Sequence, residues 1–426
     1  MYTLKESAPL RYATFFYLYF MQGVPSGFAL YAIANYLTGK GVSTSAVGTF
    51  ITIVGIPWIL QMAFGPLIDR YRYSVVGHYK HWVLLTQVAA FCASLTLLFV
   101  TKPEAQLTLI SAVFFTHSLF ASVQDASVDA MSIDVVPVAQ RGRLNAFMRA
   151  GILFGIAFGT AGLSYVLHRA GFRMAALIQS GILLLFTCIT FFIKLQRADP
   201  LFPRFTWNDL TRVVPGQEKD LKTVFKTLWQ SMTERYNLRM AGIIILSFLS
   251  FGIFVQSFTF HLIQTLHWPD QKLSMLQGGW GTIITFSVLM AGGVLADRIG
   301  HNRLQRQVLF TLSLFLLLFN ALSFAWHYNT VATTGWLIWS MADPIYSVAA
   351  FPILMTLCKP TIEGSQFTAY MSVINLCYIG GAYVSGWALR LFPAPVWGFA
   401  CGLILMLCFY LLRNQKQQLA TAAIAA

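Results

Sequence analysis

Long apolar runs with almost no charge recur throughout this 426-residue chain. A helix needs about 20 mostly apolar residues to cross the hydrocarbon core of a bilayer. Hydrophobic residues make up 57% of the sequence and charged residues only 10%, whereas soluble domains carry about 25% charged residues. The runs therefore predict an all-α, polytopic membrane protein. They exclude an ordinary soluble enzyme, a disordered chain and a secreted disulfide scaffold.

The apolar runs mark twelve candidate transmembrane spans in two sets of six. Spans 1 to 6 cover residues 12–37, 47–68, 81–101, 108–134, 142–168 and 174–194. Spans 7 to 12 cover residues 239–265, 274–296, 306–326, 331–357, 365–390 and 394–413. The first run is too long and too continuous for the apolar region of a signal peptide, so we expect it to remain in the mature protein.

A long polar segment separates the two sets of spans and predicts the domain organisation. We expect an N-terminal six-helix half (1–194), a cytoplasmic linker (195–238), a C-terminal six-helix half (239–413) and a cytoplasmic tail (414–426). Within the linker, apolar residues recur at helical spacing from Leu221 to Met232 and predict an amphipathic helix. This helix either lies on the inner membrane surface or packs on the helical bundle.

The net charge of +14 at first suggests a nucleic-acid partner, but the placement of the basic residues argues against one. Most of the 29 Lys and Arg residues lie on the same side of the predicted spans as the N-terminus. The opposite side holds Lys40, Lys102, Arg169, Arg173, Lys272 and Arg390. Because Lys and Arg are retained in cytoplasmic loops, we expect both termini to be cytoplasmic, and we expect no nucleic-acid binding.

The sequence contains no pattern that indicates a metal site, a cofactor or ATP hydrolysis. Its six cysteines fall in or beside apolar runs, and no two are spaced as Cys-x-x-Cys, so we expect free thiols. The phosphate-binding motif Gly-x-x-x-x-Gly-Lys-Ser/Thr does not occur. We therefore expect no cofactor, no metal and no enzymatic activity. Transport would have to use the gradient of an ion or of the solute itself.

The loops after spans 2 and 8 repeat one short motif, which indicates an internal duplication. Both loops read Gly-x-x-x-Asp-Arg. The first contains Gly65, Asp69 and Arg70. The second contains Gly293, Asp297 and Arg298 and is followed by Arg303. Glycine lets helix ends approach closely, and the aspartate can accept from an arginine or from a helix N-terminus. We interpret these residues as a conformational gate at the cytoplasmic edge of the membrane.

The paired loops resemble the cytoplasmic motif of the major facilitator superfamily, and the resemblance extends over essentially the whole chain. Further segments are similar to the peptide/acetyl-coenzyme A/drug branch of that superfamily, typified by AmpG-like muropeptide permeases. These segments begin at Gln22-Gly-Val-Pro, Trp82-Val-Leu-Leu-Thr-Gln, Gln124-Asp-Ala-Ser-Val-Asp-Ala, Leu354-Met-Thr-Leu-Cys and Gln366-Phe-Thr-Ala. Many AmpG-like permeases are longer than this chain.

The resemblance implies a secondary transporter of the bacterial inner membrane, with two pseudo-repeat halves that give alternating access to a central site. It also implies import of a bulky polar solute such as an anhydro-muropeptide. Related shorter members include proteins that carry siderophores, which are the alternative cargo. We expect a monomer in the lipid bilayer, with a small-molecule glycopeptide or siderophore as its substrate.

Ionisable side chains inside a membrane span are costly unless they face protein or water, so they are functional candidates. Asp125 and Asp129 lie one helical turn apart on span 4 and share a face. Two carboxylates this close repel each other when both are ionised, which favours protonation of one. We predict that they couple transport to protons. The alternative is a structural charge cluster of Asp129 with Asp134, Arg141 and Arg143.

Further polar residues inside the spans are candidates for substrate binding. Arg149, on span 5, is placed to pair with Asp129, to bind an anionic substrate or to extend to the inner interface. Asp343 precedes Pro344 on span 10, where a helix break would expose backbone groups to a ligand. The remaining candidates are Gln22, His117, Gln124, Gln256, Asn375 and Tyr378. Each of these six is alternatively an interhelical hydrogen-bonding residue.

Two other functional classes are compatible with the sequence. The pair Asp125 and Asp129 could hold Mg²⁺ against a diphosphate in a prenyl-transferring membrane enzyme, but such chemistry needs a second carboxylate cluster. Asp343 stands alone in its span and does not supply one. A non-transporting receptor on the same scaffold is the other class, although the linker contains no recognisable partner domain.

Overall fold

The computed structural model describes residues 3–61, 63–64, 68, 79–137, 140–199, 221–359 and 363–425. All regular secondary structure in these ranges is helical, with no strand. Within them, ten helices are long and apolar enough to cross a membrane. The protein is therefore an all-α, multi-pass membrane protein, which confirms the fold class predicted from the apolar runs.

The helices of the first half follow the predicted spans. Span 1 is helical through Ala8–Gly27, the π-helical segment Phe28–Ile33 and Ala34–Gly39, and span 2 begins with the shorter apolar helix Thr44–Ile59. Spans 3 to 6 comprise Lys80–Leu95 with the 3-10 turn Thr96–Phe99, Leu107–Val135, Arg141–Ala157 continued by Phe158–Gly162 and Leu163–Ala170, and Phe172–Phe192. Such helices satisfy their backbone groups internally, as a hydrocarbon environment requires.

The second half begins with the linker helix Leu221–Met232. Spans 7 to 9 comprise Arg235–Phe260 with His261–Thr265, Asp270–Met275 with Leu276–Gly281 and Thr282–Ile299, and His301–Ala321 with Ser323–His327. Spans 10 to 12 comprise Asn329–Trp339 with Ala342–Thr356, Glu363–Ala388, and Ala394–Ala425. The last helix runs past residue 413 because the tail is rich in Ala and Gln, which favour helix formation.

The chain forms two compact units. Unit 1 comprises Met1–Lys40, Ile53–Leu221 and Asp270–Thr282, and unit 2 comprises Gly41–Thr52, Lys222–Pro269 and Ile283–Ala426. Unit 1 thus contains most of spans 1 to 6 together with the start of span 8. Unit 2 contains most of spans 7 to 12 together with the start of span 2.

In unit 1, spans 1 and 5 pack backbone against backbone. Gly151, Gly155 and Gly159 recur at every fourth position of span 5 and so share one face of that helix. A Cβ atom added at any of the three would collide with a carbonyl oxygen of span 1, which at Gly155 is that of Phe20. Small residues allow this close approach of two membrane helices. The three glycines therefore fix span 5 tightly against span 1.

Unit 2 is built around aromatic side chains of span 7. Phe248, Phe251 and Phe254 recur at three-residue intervals and are buried. The ring of Phe254 lies edge-on to Trp339, with 4.8 Å between centroids, and that of Phe251 lies edge-on to Tyr346 at 5.4 Å. Trp339 and Tyr346 belong to the two helices of span 10, so span 7 holds both parts of that span in place.

The end of the linker helix is attached to unit 2 by buried hydrogen bonds. The Ser231 hydroxyl donates to Gln366 Oε1 of span 11 over 3.0 Å, and Gln366 Nε2 donates to the Leu357 carbonyl over 3.1 Å. Lys359 and Glu234 form an ion pair beside them. The last turn of the linker helix therefore packs on the bundle, as the second interpretation of this helix proposed.

Candidate functional site

The two carboxylates of span 4 are held by polar side chains from two other spans. The Tyr19 hydroxyl of span 1 donates to Asp129 Oδ1. Gln61 Nε2, from the second predicted span, donates to Asp125 Oδ2 over 2.6 Å. Both donors are neutral groups. They orient the carboxyl groups without cancelling their charge, so either carboxyl group can still take up a proton.

Arg149 of span 5 supplies positive charge to this cluster. Its side chain is exposed and acts electrostatically on both Asp125 and Asp129. It makes no hydrogen bond or ion pair with another residue in the described ranges. Of the three roles considered for Arg149, a direct ion pair with Asp129 is therefore not formed. Its guanidinium group can still make a bidentate contact with an anionic ligand.

His117 faces span 3. Its Nδ1 lies 3.0 Å from Ser94 Oγ and 3.1 Å from the Ala90 carbonyl oxygen, and Gln179 Nε2 donates to Ser94 over 3.2 Å. Eight residues separate His117 from Asp125, and over that length a helix turns about 80° beyond two full turns. This rotation explains why His117 joins spans 3, 4 and 6 instead of extending the carboxylate face.

Gln22 and Gln124 are almost completely buried, with 3% and 2% of their surface exposed. Neither amide atom of Gln22 has a hydrogen-bond partner in the described structure, and Nε2 of Gln124 also lacks one. Buried amide groups of this kind usually have a partner, and an unsatisfied one costs free energy. The role of both residues in substrate binding stays a prediction.

Span 10 is interrupted close to its middle. Its first helix is Asn329–Trp339 and its second is Ala342–Thr356. Asp343 lies in the first turn of the second helix. The break expected near Asp343 and Pro344 is thus present, and it occurs just before this pair.

Two hydroxyl groups hold the carboxylate of Asp343. Ser347 Oγ donates to Oδ1 over 2.7 Å, and Tyr378 Oη of span 11 donates to Oδ2 over 2.6 Å. The ring of Tyr378 is half-buried and lies 5.8 Å from the ring of Phe248. Two of the predicted substrate-binding residues, Asp343 and Tyr378, are therefore in direct contact.

The other two candidates of the C-terminal half have no such contact. Asn375 lies one turn before Tyr378 on span 11, and Gln256 lies on span 7. Both are partly buried, and neither makes a hydrogen bond to another residue for which the structure gives coordinates. Their contribution to substrate binding stays a prediction.

The predicted cytoplasmic gate lies largely outside the described residues. Gly65, Asp69 and Arg70 fall outside them entirely. Gly293 and Asp297 belong to the helix Thr282–Ile299, but their side chains are also outside the described part. Arg298 and Arg303 are exposed on either side of Gly300, whose φ of +85° makes the turn between spans 8 and 9. The gate therefore stays a prediction.

Three hydrogen-bonding residues of these sites were not singled out in the sequence. They are Tyr19, Gln61 and Ser347. Helical spacing offered a signal for two of them, because Tyr19 lies one turn before Gln22 and Ser347 one turn after Asp343. Gln61 is a polar residue within an apolar run, which is the same signal that selected Gln22 and Gln124.

No group of three or more His, Cys, Asp or Glu side chains able to hold a metal ion occurs among the described residues. The six cysteines are free thiols.

Comparison with known sequences gives a family match and relatives named as transporters. A family model described as Major Facilitator Superfamily matches residues 13–382. The Escherichia coli (strain K12) protein named anhydromuropeptide permease is 24% identical over 398 residues, which cover 88% of this chain and 74% of that protein. The Rickettsia prowazekii (strain Madrid E) protein named putative transporter AmpG 3 is 21% identical over 289 residues, which cover 66% of each chain.

Solved structures share the fold at low sequence identity. The nucleoside transporter NupG aligns with a TM-score of 0.66 and 14% identity, covering 95% of this chain and 98% of its own. A D-xylose–proton symporter aligns with a TM-score of 0.66 and 13% identity, covering 92% of this chain and 97% of its own. The family match and the shared fold show that this chain belongs to the Major Facilitator Superfamily, and its relatives make it an AmpG-like transporter of that superfamily.

Proposed function

We propose that this transporter imports an anhydro-muropeptide, or a closely similar glycopeptide, together with protons. Membership of the superfamily supports secondary transport by alternating access around a central site. The substrate is supported by the relative named anhydromuropeptide permease, which aligns with 88% of this chain. None of the relatives described above is named for a siderophore, so the glycopeptide is the favoured cargo.

The observation that carries proton coupling is the cluster of Asp125, Asp129 and Arg149. When both carboxylates are ionised, one negative charge of the cluster is uncompensated, and one bound proton cancels it. Uncompensated charge is costly inside a membrane. Uptake and release of a proton therefore change the net charge of the cluster, and with it the free energy of placing the cluster in an apolar or a water-filled environment. A proton-coupling site needs such a dependence.

The exposed side chain of Arg149 supports the proposal that the transported solute is anionic. It is not engaged by another described residue, and guanidinium groups bind carboxylates through two parallel hydrogen bonds. Peptide solutes carry carboxylates. Binding of such a solute near the cluster would link the charge of the substrate to the proton count of Asp125 and Asp129.

We also propose a location in a bacterial inner membrane, as a monomer, with both termini in the cytoplasm. The orientation is supported by the uneven distribution of the 29 Lys and Arg residues between the two sides of the predicted spans. In this orientation the Gly-x-x-x-Asp-Arg loops lie on the cytoplasmic side, where the proposed gate would act.

Uptake into proteoliposomes with an imposed pH gradient tests the proposed function. We expect the wild type to accumulate labelled anhydro-muropeptide against its concentration gradient, and the variants Asp125→Asn and Asp129→Asn to lose this accumulation. Glu6→Gln is the matched control, because Glu6 is a carboxylate outside the spans that pairs with Arg197. Its accumulation should equal that of the wild type.

Two results would contradict the proposal in different ways. Accumulation that persists in both aspartate variants would exclude this pair as the coupling site. Correctly inserted wild-type protein that takes up no anhydro-muropeptide would exclude the proposed substrate.

A further inference from the structure

Asp343 is an intramembrane carboxylate with no positively charged partner in the part of the chain that the structure describes. Span 10 extends from Asn329 to Thr356, and Asp343 lies near its middle. Within the described ranges it forms no ion pair, and no charged side chain there acts on it electrostatically. Asp125 and Asp129 differ in this respect, because they share the charge of Arg149.

The groups around Asp343 are arranged as donors to an ionised carboxylate. Ser347 and Tyr378 each direct a hydroxyl group to a different carboxyl oxygen. Asp343 also lies in the first turn of the helix Ala342–Thr356, where the helix dipole favours negative charge. These contacts stabilise the anion but supply no whole positive charge, and an unpaired charge in a membrane span is costly.

The carboxylate is also within reach of a ligand. Asp343 is exposed, and the ring of Tyr378 beside it is half-buried, so part of its face is accessible. A carboxylate next to an accessible aromatic ring is suited to an organic cation, which pairs with the charge of the first and with the π electrons of the second.

We propose that Asp343, Ser347 and Tyr378 bind the primary ammonium group of the transported solute. An ammonium group carries one positive charge and three N–H donors. The carboxylate oxygens and the two hydroxyl oxygens provide acceptors for them. This inference rests on the proposed transport function, and it adds that the solute carries a primary ammonium group.

A metal ion fits these residues less well than an ammonium group. Ca²⁺ takes six to eight oxygen ligands, and Mg²⁺ requires near-octahedral coordination. Asp343 offers one carboxylate. Among the described residues it belongs to no group of three or more His, Cys, Asp or Glu side chains that could hold a metal ion. An ammonium group needs only the hydrogen bonds and the single charge that are present.

Protection from chemical labelling tests the site without any assumption about the cargo. A hydrophobic carbodiimide labels intramembrane carboxyl groups of the wild-type protein, and mass spectrometry of peptides gives the labelling rate at Asp343, Asp125 and Asp129. The probe is n-butylammonium chloride, compared at equal concentration with sodium chloride and n-butanol. Asp343→Asn identifies the peptide whose label depends on Asp343.

We expect n-butylammonium to slow labelling of Asp343 about tenfold at a concentration about ten times its dissociation constant, and to leave Asp125 and Asp129 unaffected. Sodium and n-butanol should give no protection. The proposal is overturned if n-butylammonium fails to protect Asp343, or if sodium or n-butanol protects it equally well. It is also overturned if all three carboxyl groups are protected alike.

The labelling experiment remains informative if the proposed cargo is wrong. Failure of anhydro-muropeptide uptake would contradict the proposed substrate but would not alter the protection of Asp343 by a simple ammonium ion. Conversely, uptake together with an unprotected Asp343 would retain the transport function and exclude the ammonium site.

Discussion

A tyrosine hydroxyl holds an intramembrane carboxylate in each unit. Tyr19 donates to Asp129 in unit 1, and Tyr378 donates to Asp343 in unit 2. A phenol is a neutral donor at physiological pH, so it fixes the direction of the carboxylate and leaves its charge to be balanced by another group. In unit 1 Arg149 and a proton can do this, whereas in unit 2 the proposed ammonium group would do so.

The variant Tyr19→Phe tests the donor in unit 1. A hydrogen bond to a charged group contributes about 1.5–3 kcal/mol, and its loss favours the protonated form of Asp129. We expect the pH at which gradient-driven uptake is half-maximal to rise by about one unit, since one unit corresponds to about 1.4 kcal/mol. The measurement is the uptake rate in proteoliposomes across a series of external pH values.

Tyr17→Phe is the matched control for this variant. It removes the same hydroxyl two positions away, where Tyr17 pairs with Thr190 of span 6 at 3.1 Å. Its pH profile should coincide with that of the wild type. Equal shifts in both variants would show that Tyr19 acts through general stability and not through Asp129.

The sequence identifies the carboxylates of the site more readily than their partners. Asp125, Asp129 and Asp343 stand out because an acidic residue within an apolar run is costly and rare. Tyr19 and Gln61 donate to carboxylates on a neighbouring helix. Whether their helix faces meet span 4 depends on how the helices are rotated against each other, and residue spacing within one helix does not specify this. His117 differs, because its eight-residue spacing from Asp125 already places it on another face of span 4, where it contacts span 3.

At the scale of helices, the glycine face of span 5 controls how closely span 1 approaches. Gly155 lies against the backbone of Phe20 and Gly23. A side chain at this position would have to displace main-chain atoms of span 1. Unlike a side chain, the main chain cannot make room by changing its rotamer. The spans themselves are predictable from hydropathy, but this contact requires knowledge of which helix lies opposite span 5.

The variant Gly155→Leu tests the contact between spans 1 and 5. Overpacking of a close-packed interface costs about 1–3 kcal/mol or more, and we expect a clear fall in the temperature of thermal unfolding in detergent. Gly181→Leu is the control on span 6, because an added Cβ there meets no atom within 4 Å. Wild-type stability of the Gly155 variant would contradict a rigid contact.

At the scale of the whole molecule, each compact unit contains a short segment from the other half of the sequence. In unit 1, the start of span 8 contacts span 5 through His168 Nε2 and Asp270 Oδ2, which lie 2.9 Å apart. Asn35 of span 1 donates to Ser274 Oγ over 2.9 Å and to Gln277 Oε1 over 2.8 Å. Hydropathy separates the chain into two sets of spans, but it does not predict this exchange of segments.

A double-mutant cycle tests whether His168 and Asp270 stabilise each other. His168 Nδ1 donates to the Ser164 carbonyl over 2.8 Å, which directs its other nitrogen toward Asp270. For residues in contact we expect a coupling energy of about 0.5–3 kcal/mol between His168→Gln and Asp270→Asn. Unfolding free energies of the wild type, both single variants and the double variant give this value. Strict additivity would show that the pair contributes no stability.

The backbone contact between spans 1 and 5 has a mechanical consequence. Two helices that touch through main-chain atoms have no side chains between them to reorient. We therefore expect spans 1 and 5 to move together as a rigid pair. Tyr19 and Arg149 lie on these two helices, so we expect the distance between their main-chain atoms to change little. We therefore expect any movement of span 4 relative to this helix pair to change the electrostatic environment of Asp125 and Asp129.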